Sequence, residues 1–342
     1  MRFLTDGWMN LRVSTMRVAA RLMGFLAIGF ALATHTFSGA IAGEARRIGY
    51  LTLDSAEVGA PWAAAFRNGL ADSGFVEGRN TTIEWRFAAY NANLLSPVAS
   101  ELIASNIELL VADGTQAALA AKRATTTIPI VVATSGDLVG AGVVTSLARP
   151  GGNITGMTLM SPGLAGKRLA LLKEMAPRTD RVAVLSNPDN PASALQLREV
   201  HAAAPGLGLK VYTVSIRRQA DIDRIVPSLA GRVNAMLITD DYVLDGFRAQ
   251  IGSHALRDRI PWICSWAMPE DKICLIWYGP DLRDVYYRAG RLAAQVLNGS
   301  KPRDLPVEQP AKFVLGINAT TADALGITVP QSLLLMADEI IR

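Results

Sequence analysis

Reactive side chains are scarce in this chain, and the scarcity narrows what it can do. In 342 residues there are three histidines and two cysteines. His35 lies in an apolar N-terminal stretch, while His201 and His254 fall inside predicted helices, away from strand ends, and read as solvated helix residues rather than catalytic bases. The zinc motif HExxH, the nucleophile elbow GxSxG and the phosphate loop GxxxxGK[ST] are all absent. The run Gly136-Asp-Leu-Val-Gly140-Ala-Gly142 has its glycines in the wrong order for a dinucleotide fingerprint, and it follows the fourth predicted strand rather than the first. Asp221 with Asp223 and Asp240 with Asp241 are carboxylate pairs of a kind any α/β protein carries. Cys264 and Cys274 lack the histidine partners of a metal site. They either close a disulfide, worth roughly 2–3 kcal/mol for so short a loop, or remain two buried thiols. No metal, cofactor or catalytic residue is expected, and the chain reads as a protein that does not catalyse a reaction.

Polar residues are instead concentrated where predicted strands hand over to helices, the edge at which open parallel sheets bind ligands. Asp54 and Ser55 follow the first strand, Gly114, Thr115 and Gln116 the third, and Ser135 and Asp137 the fourth. Asn187, Asp240 and Trp266 hold equivalent places in the second half. Gly114-Thr115 is the most suggestive, because a glycine admits close approach and the amides of a helix start can hold an anionic group. The alternative is that Thr115, Asp137 and Asn187 are ordinary helix caps. Trp62, Trp266, Trp277 and Tyr278 stand at or beside strand ends or helix starts, where an aromatic ring can cover a flat apolar ligand. Burial in a core is the competing fate of each, and Trp277, on a strand, is expected to face inward.

The elements that must position these residues begin at Arg46. Strands are predicted over 48–53, 82–87, 108–112 and 128–133, with helices over 61–73, 94–105 and 115–124 between them. Pro61 suits a first helical position. After Arg149-Pro-Gly-Gly152 the pattern restarts, with strands over 181–185, 209–214, 235–239, 261–264 and 273–277. Helices over 167–175, 191–204, 220–229, 247–257 and 282–297 accompany them, and a last strand covers 313–317. Strands alternating with helices imply parallel sheets covered on both faces. The reading is α/β, two Rossmann-like lobes with the chain crossing between them more than once; a single large α/β domain is the alternative.

The N-terminus addresses the chain. Arg12, Arg17 and Arg21 precede the apolar run 22–33, and Ala40-Ile-Ala42 follows, which reads as a signal peptide over residues 1–42 cut after Ala42. Met1 and Met16 both qualify as its start. The run falls short of the roughly 20 apolar residues of a membrane span; an uncleaved anchor is the alternative. Neither cysteine lies near the cut, so a lipid anchor there is excluded, and the periplasm is the expected compartment. Removing residues 1–42 leaves 30 basic against 29 acidic residues with no long basic run, which argues against a nucleic-acid partner. A monomer is expected.

Several segments together carry a family resemblance: Asp113-Gly-Thr-x-Ala-Ala-Leu-Ala-Ala-Lys122, Thr127-Ile-Pro-Ile-Val131, Ser146-Leu-Ala-Arg-Pro-Gly-Gly-Asn-Ile-Thr-Gly156, Lys167-Arg-Leu and Asp304-Leu-Pro-Val-Glu-Gln-Pro-Ala-Lys-Phe313. From about Arg46 to the C-terminus the chain resembles the ABC-type substrate-binding proteins whose best-known members bind tryptophan or phenylalanine. The resemblance implies a type I periplasmic-binding-protein fold with three hinge crossovers. Lobe 1 would comprise 46–156 plus 280–303, and lobe 2 would comprise 157–279 plus 304–342. It implies a small polar ligand gripped like a Venus flytrap and delivered to a membrane permease and its ATPase. An amino acid, aromatic or not, or a related carboxylate is the candidate, and the family's aromatic ligand is not carried over, because two of the chain's departures from the family border the expected pocket. Carried over by position, the cleft-facing turns are Gly114-Thr115, Gly136-Asp137, Asn187, Asp240 and Tyr278. The chain departs from the family at Gln116, Leu138 and the turn Asp271-Lys-Ile-Cys274. Rival readings are a ligand sensor presenting its closed form to a membrane receptor, and a secreted enzyme, for which a nucleophile–base pair is lacking.

Overall fold

The computed structural model describes residues 45–268 and 273–342. The signal-peptide reading, its cut after Ala42 and the Asp271–Lys272 part of the departing turn lie outside the described residues.

Strand β1 (Arg46–Thr52) passes through Ser55 into helix α1 (Ala56–Ala71). Next come β2 (Thr81–Phe87), α2 (Leu95–Ala104), β3 (Leu109–Asp113), α3 (Thr115–Ala124), β4 (Ile130–Thr134) and β5 (Ile154–Gly156). The chain then crosses to a second sheet through α4 (Ser161–Met175), β6 (Arg181–Ser186), α5 (Pro191–Ala203), β7 (Lys210–Ser215), α6 (Gln219–Ile225), β8 (Ala235–Ile238), α7 (Tyr242–Gly246), α8 (Arg248–Arg257), β9 (Trp262–Cys264) and β10 (Ile276–Pro280). It returns to the first lobe as α9 (Leu282–Leu297) and crosses a last time to β11 (Phe313–Asn318), α10 (Ala319–Leu325), α11 (Gln331–Met336) and β12 (Glu339–Ile341).

The first sheet is fully parallel in the order β2-β1-β3-β4-β5. The second runs β12-β11-β10-β9-β8-β6-β7, parallel except where β11 meets β10 antiparallel. Both are covered by helices on two faces, which is why their central strands are unbroken apolar runs. Leu109 and Val111 point into one core of the first lobe, and Leu110 and Ala112 into the other. The architecture is thus two Rossmann-like lobes joined by three crossovers. The crossings lie side by side: Thr158 N–H donates to the Glu308 carbonyl at 2.9 Å, Glu308 N–H to that of Gly156 at 2.8 Å, and Asp281 N–H to that of Lys312 at 3.1 Å.

Two expectations are corrected. Helix α1 starts at Ala56, because the Ser55 hydroxyl accepts the Val58 N–H at 3.3 Å and caps it, so Pro61 sits inside the helix instead of opening it. Strand β10 spans Ile276–Pro280, three residues later than expected, which puts Tyr278 and Gly279 in mid-strand. The short β5, β12, α7, α10 and α11 were too brief for periodicity to reveal.

Helix α9 returns to the first lobe because α1 leaves it room. A Cβ on Gly69 would lie 1.9 Å from the Tyr287 carbonyl oxygen, and one on Gly290 would lie 2.2 Å from that of Phe66. Backbone meets backbone at both glycines. Gly69→Ala is therefore expected to destabilise the protein by about 1–3 kcal/mol through forced separation of the helices. Urea unfolding checks this, and wild-type stability in the variant would contradict the packing.

Candidate ligand-binding site

Parallel register aligns the carboxyl ends of β1, β3 and β4, pairing Thr52 with Asp113 and Asp113 with Thr134. Opposite them stand the turns after β8 and β9 of the second sheet. Between the two sets lies a cleft lined by residues of both lobes.

The first lobe contributes Asp54, Gly114, Thr115, Ser135 and Gly136, and the second contributes Asn190, Asp240, Asp241, Tyr242 and Asp245. Trp62, Trp266, Met268, Leu159 and Leu282 supply the apolar walls. Trp62 is stacked on Tyr286, with ring centroids 5.6 Å apart and planes 12° from parallel. Trp266 and Met268 reach the cleft on a loop closed by a disulfide between Cys264 and Cys274. The two thiols are therefore bridged, and Arg248 Nη1 donates to the Trp266 carbonyl at 2.6 Å, fixing the loop from beneath.

One end of the cleft presents hydrogen-bond donors. Gly114, at φ 98°, gives α3 no side-chain cap, so the first-turn amides face whatever fills the space. The Thr115 and Ser135 hydroxyls lie 2.9 Å apart beside them. The Ser161 hydroxyl, buried and without a partner among the described residues, is 3.4 Å from where a Cβ on Gly136 would stand.

The remainder is acidic. Asp240 forms an ion pair with the fully buried Arg168, Nη1 to Oδ1 at 2.6 Å, and also accepts the Ser265 hydroxyl. Asp245 pairs with Arg248, yet burial pushes its carboxyl up to about 6 against that cation. Asp241 is raised by burial while accepting Asn187 and Asn190 amides and two amides of α7. Asp113 is also raised by burial, and four hydroxyls donate to it: Tyr242 at 2.6 Å, Tyr286 and Thr134 at 2.9 Å, Thr52 at 3.2 Å. Asp54 is pushed up to about 7, chiefly by burial, with the Asp113 and Asp245 carboxylates adding to it. Its Oδ1 accepts from Ser55 N–H at 2.9 Å and from the Tyr90 hydroxyl at 3.0 Å; among the described residues nothing bonds its Oδ2.

Of the residues singled out in the sequence, Asp54, Trp62, Gly114, Thr115, Ser135, Gly136, Asp240 and Trp266 meet at this cleft. Ser55, Gln116, Asp137, Asn187, Trp277 and Tyr278 stand outside its lining. Ser55 caps α1. Gln116 donates to the Asp189 carbonyl at 3.3 Å, bridging the lobes at the surface. Asp137 accepts the amides of Val139 and Gly140, a local turn. Asn187 serves Asp241. Tyr278 projects from β10 onto Phe313, with centroids 6.3 Å apart, and only its carbonyl is used, accepting Arg168 Nε at 2.7 Å. Trp277 is buried, as expected of it. Sequence reasoning did not single out Arg168, Asn190, Asp245 or Tyr286 as site residues. The Lys167-Arg-Leu segment was the one signal for Arg168.

A two-lobed α/β protein with a polar, aromatic-walled cleft between its sheets has the build of a binding protein. Residues 62–341 match the model of the ABC transporter substrate binding protein family, and the chain belongs to that family. It is 28% identical over 284 residues to a tyrosine-binding protein of Clostridioides difficile, an alignment covering 83% of this chain and 80% of that one. The ABC domain of a Streptococcus pneumoniae protein in complex with L-Trp superposes with a TM-score of 0.81 at 27% identity, covering 87% of this chain and all of that one. A Clostridium difficile substrate-binding protein with adhesive properties, in its ligand-free, open form, gives 0.62 at 26% identity, covering 87% and 99%.

The raised carboxyls predict a pH dependence. Between about pH 4, where an unfolded Asp ionises, and pH 7 or 6, Asp54 and Asp245 hold protons in the folded state that the unfolded state has released. Stability contributed by these groups is full below that window and is lost as pH rises through it. Ligand-free protein should therefore unfold in less urea at pH 8 than at pH 5, and Asp54→Asn should flatten part of that slope. Stability rising steadily from pH 5 to pH 8 would contradict the assignment.

Proposed function

We propose that the protein is the solute-binding component of an ABC uptake transporter and that its ligand is an α-amino acid with a bulky, apolar side chain. The observation carrying this reading is the division of the cleft into an uncapped helix start, an unsatisfied carboxylate and an aromatic wall. The ligand carboxylate sits on the first-turn amides of α3 with the Thr115 and Ser135 hydroxyls. Its ammonium binds Asp54 and offsets the acidic lining opposite. Its side chain lies between Trp62, Trp266 and Met268. The likeness to proteins that bind tyrosine and tryptophan supports this choice.

Residues 46–156 with 280–303 act as one body, and residues 157–279 with 304–342 as the other, flexing at the three adjacent crossings. At nearly equal sequence identity the chain superposes better on the tryptophan-bound relative than on the open one, which supports reading the present arrangement as closed. A ligand contacting both lobes favours that form by its differential affinity. Micromolar binding provides about 8 kcal/mol to divide between closure and retention. The ligand is released unchanged to a permease and its ATPase. Export by the signal peptide to the periplasm fits this role. Among the described residues no helix is long and apolar enough to cross a membrane.

Isothermal titration of the purified protein with L-tryptophan, L-tyrosine and L-phenylalanine tests the reading. Micromolar binding of at least one is expected, weakened about tenfold or more by Asp54→Asn, which removes a charge-assisted bond. Absence of binding to every α-amino acid would remove the amino-acid assignment.

A further inference from the structure

Tyr242 opens α7 in the second lobe, but its phenol is spent on the first. The hydroxyl donates to Asp113 Oδ1 at 2.6 Å and lies 2.9 Å from the Tyr286 hydroxyl and 3.1 Å from that of Thr134. All three partners belong to β3, β4 or α9. The ring rests on Gly114, where a Cβ would come within 2.5 Å of Cε2. A second tyrosine makes the reverse crossing. Tyr90 of the first lobe packs on Phe247 of the second, with ring centroids 5.2 Å apart, and a Cβ on Gly246 would meet its Cζ at 2.2 Å. Its hydroxyl donates to Asp54 at 3.0 Å. Ala89 and Tyr90 hold left-handed backbone, φ 46° and 66°, to present that ring. Each lobe thus seats a tyrosine on a glycine of the other, and each phenol bonds a buried carboxylate at the carboxyl edge of the first sheet.

We propose that Tyr242, assisted by Tyr90, is an interlobe latch that keeps the cleft closed for part of the time before any ligand arrives. The proposal rests on the two-body motion described above but not on the ligand's identity. Opening withdraws one phenol from Asp113 and leaves it three hydroxyls of its own lobe, so the carboxylate survives in both states and the phenol biases the choice. A latched ligand-free state raises the fraction of protein already competent to hold ligand, which lowers the apparent dissociation constant by that fraction. It also slows escape once a ligand is enclosed.

The test is a distance measurement on ligand-free protein. Arg123 on α3 and Glu199 on α5 are exposed, one on each lobe, and no free cysteine competes with labels among the described residues. Spin labels on Arg123→Cys and Glu199→Cys, read by pulsed electron–electron resonance, should give two distance populations, the shorter being the closed form. Tyr242→Phe keeps the ring and loses the bond, and should lower the closed-to-open ratio roughly tenfold or more. Gly246→Ala obstructs Tyr90 without touching Asp113 and should shift the ratio the same way, which keeps the test decisive if Tyr242→Phe folds poorly. A single long distance in the unsubstituted protein, or ratios unchanged in the folded variants, would overturn the latch. Because no ligand is added, failure here leaves the amino-acid reading standing, and failure of that reading leaves the latch standing.

Discussion

A carboxylate buried beside no cation is costly, and among the described residues three such acids stand at or beside this cleft. Asp113 is met by four hydroxyls, from Thr52, Thr134, Tyr242 and Tyr286. Asp241 is met by two asparagine amides and the start of α7. Asp54 is only partly met, with one oxygen bonded and one left over. The first two consume most of the polar residues that end the strands. The third keeps one oxygen without a bond among the described residues. The acids nearest a cation, Asp240 and Asp245, are occupied by Arg168 and Arg248.

This arrangement accounts for the division of labour between lobes. In the proposed reading the first sheet would supply both ends of a zwitterion site, the amides of α3 and the carboxylate of Asp54, which lie on adjacent strand ends and would hold their spacing if the lobes move. The second sheet would supply the cover: Trp266 and Met268 on a disulfide-closed loop, Tyr242 and Asp245 on α7. Arg168 ties that cover together, joining the Tyr278 carbonyl on β10 to Asp240 after β8. Its loss would strand a buried carboxylate, the circumstance in which breaking an ion pair is most damaging.

Much of the fold was legible because turn chemistry is local. Gly114 marks the start of α3 and the amphipathic period marks the extent of α9, and both helices begin and end where the sequence puts them. The site was less legible, for a reason its residues share. Asp137 and Asn187 look like ligand groups in sequence but satisfy turns and neighbours within their own lobes. Tyr286, four residues into an amphipathic helix, has the spacing of a core residue, and its hydroxyl matters only because β3 places Asp113 opposite. Arg168 and Asp240 are 72 residues apart, and no spacing rule links them. A polar strand end marks the edge where a site forms. Which of its side chains remain unsatisfied is decided by partners distant in sequence.

The central claim is that the cleft holds a zwitterion with its ammonium at Asp54 and its carboxylate at the α3 helix start. A crystal structure of the protein grown with L-tryptophan tests it most directly. The account predicts the ammonium within hydrogen-bond distance of Asp54 and the carboxylate on the amides after Gly114, with the indole between Trp62 and Trp266. A ligand bound in the reverse orientation, or seated outside this cleft, would contradict it.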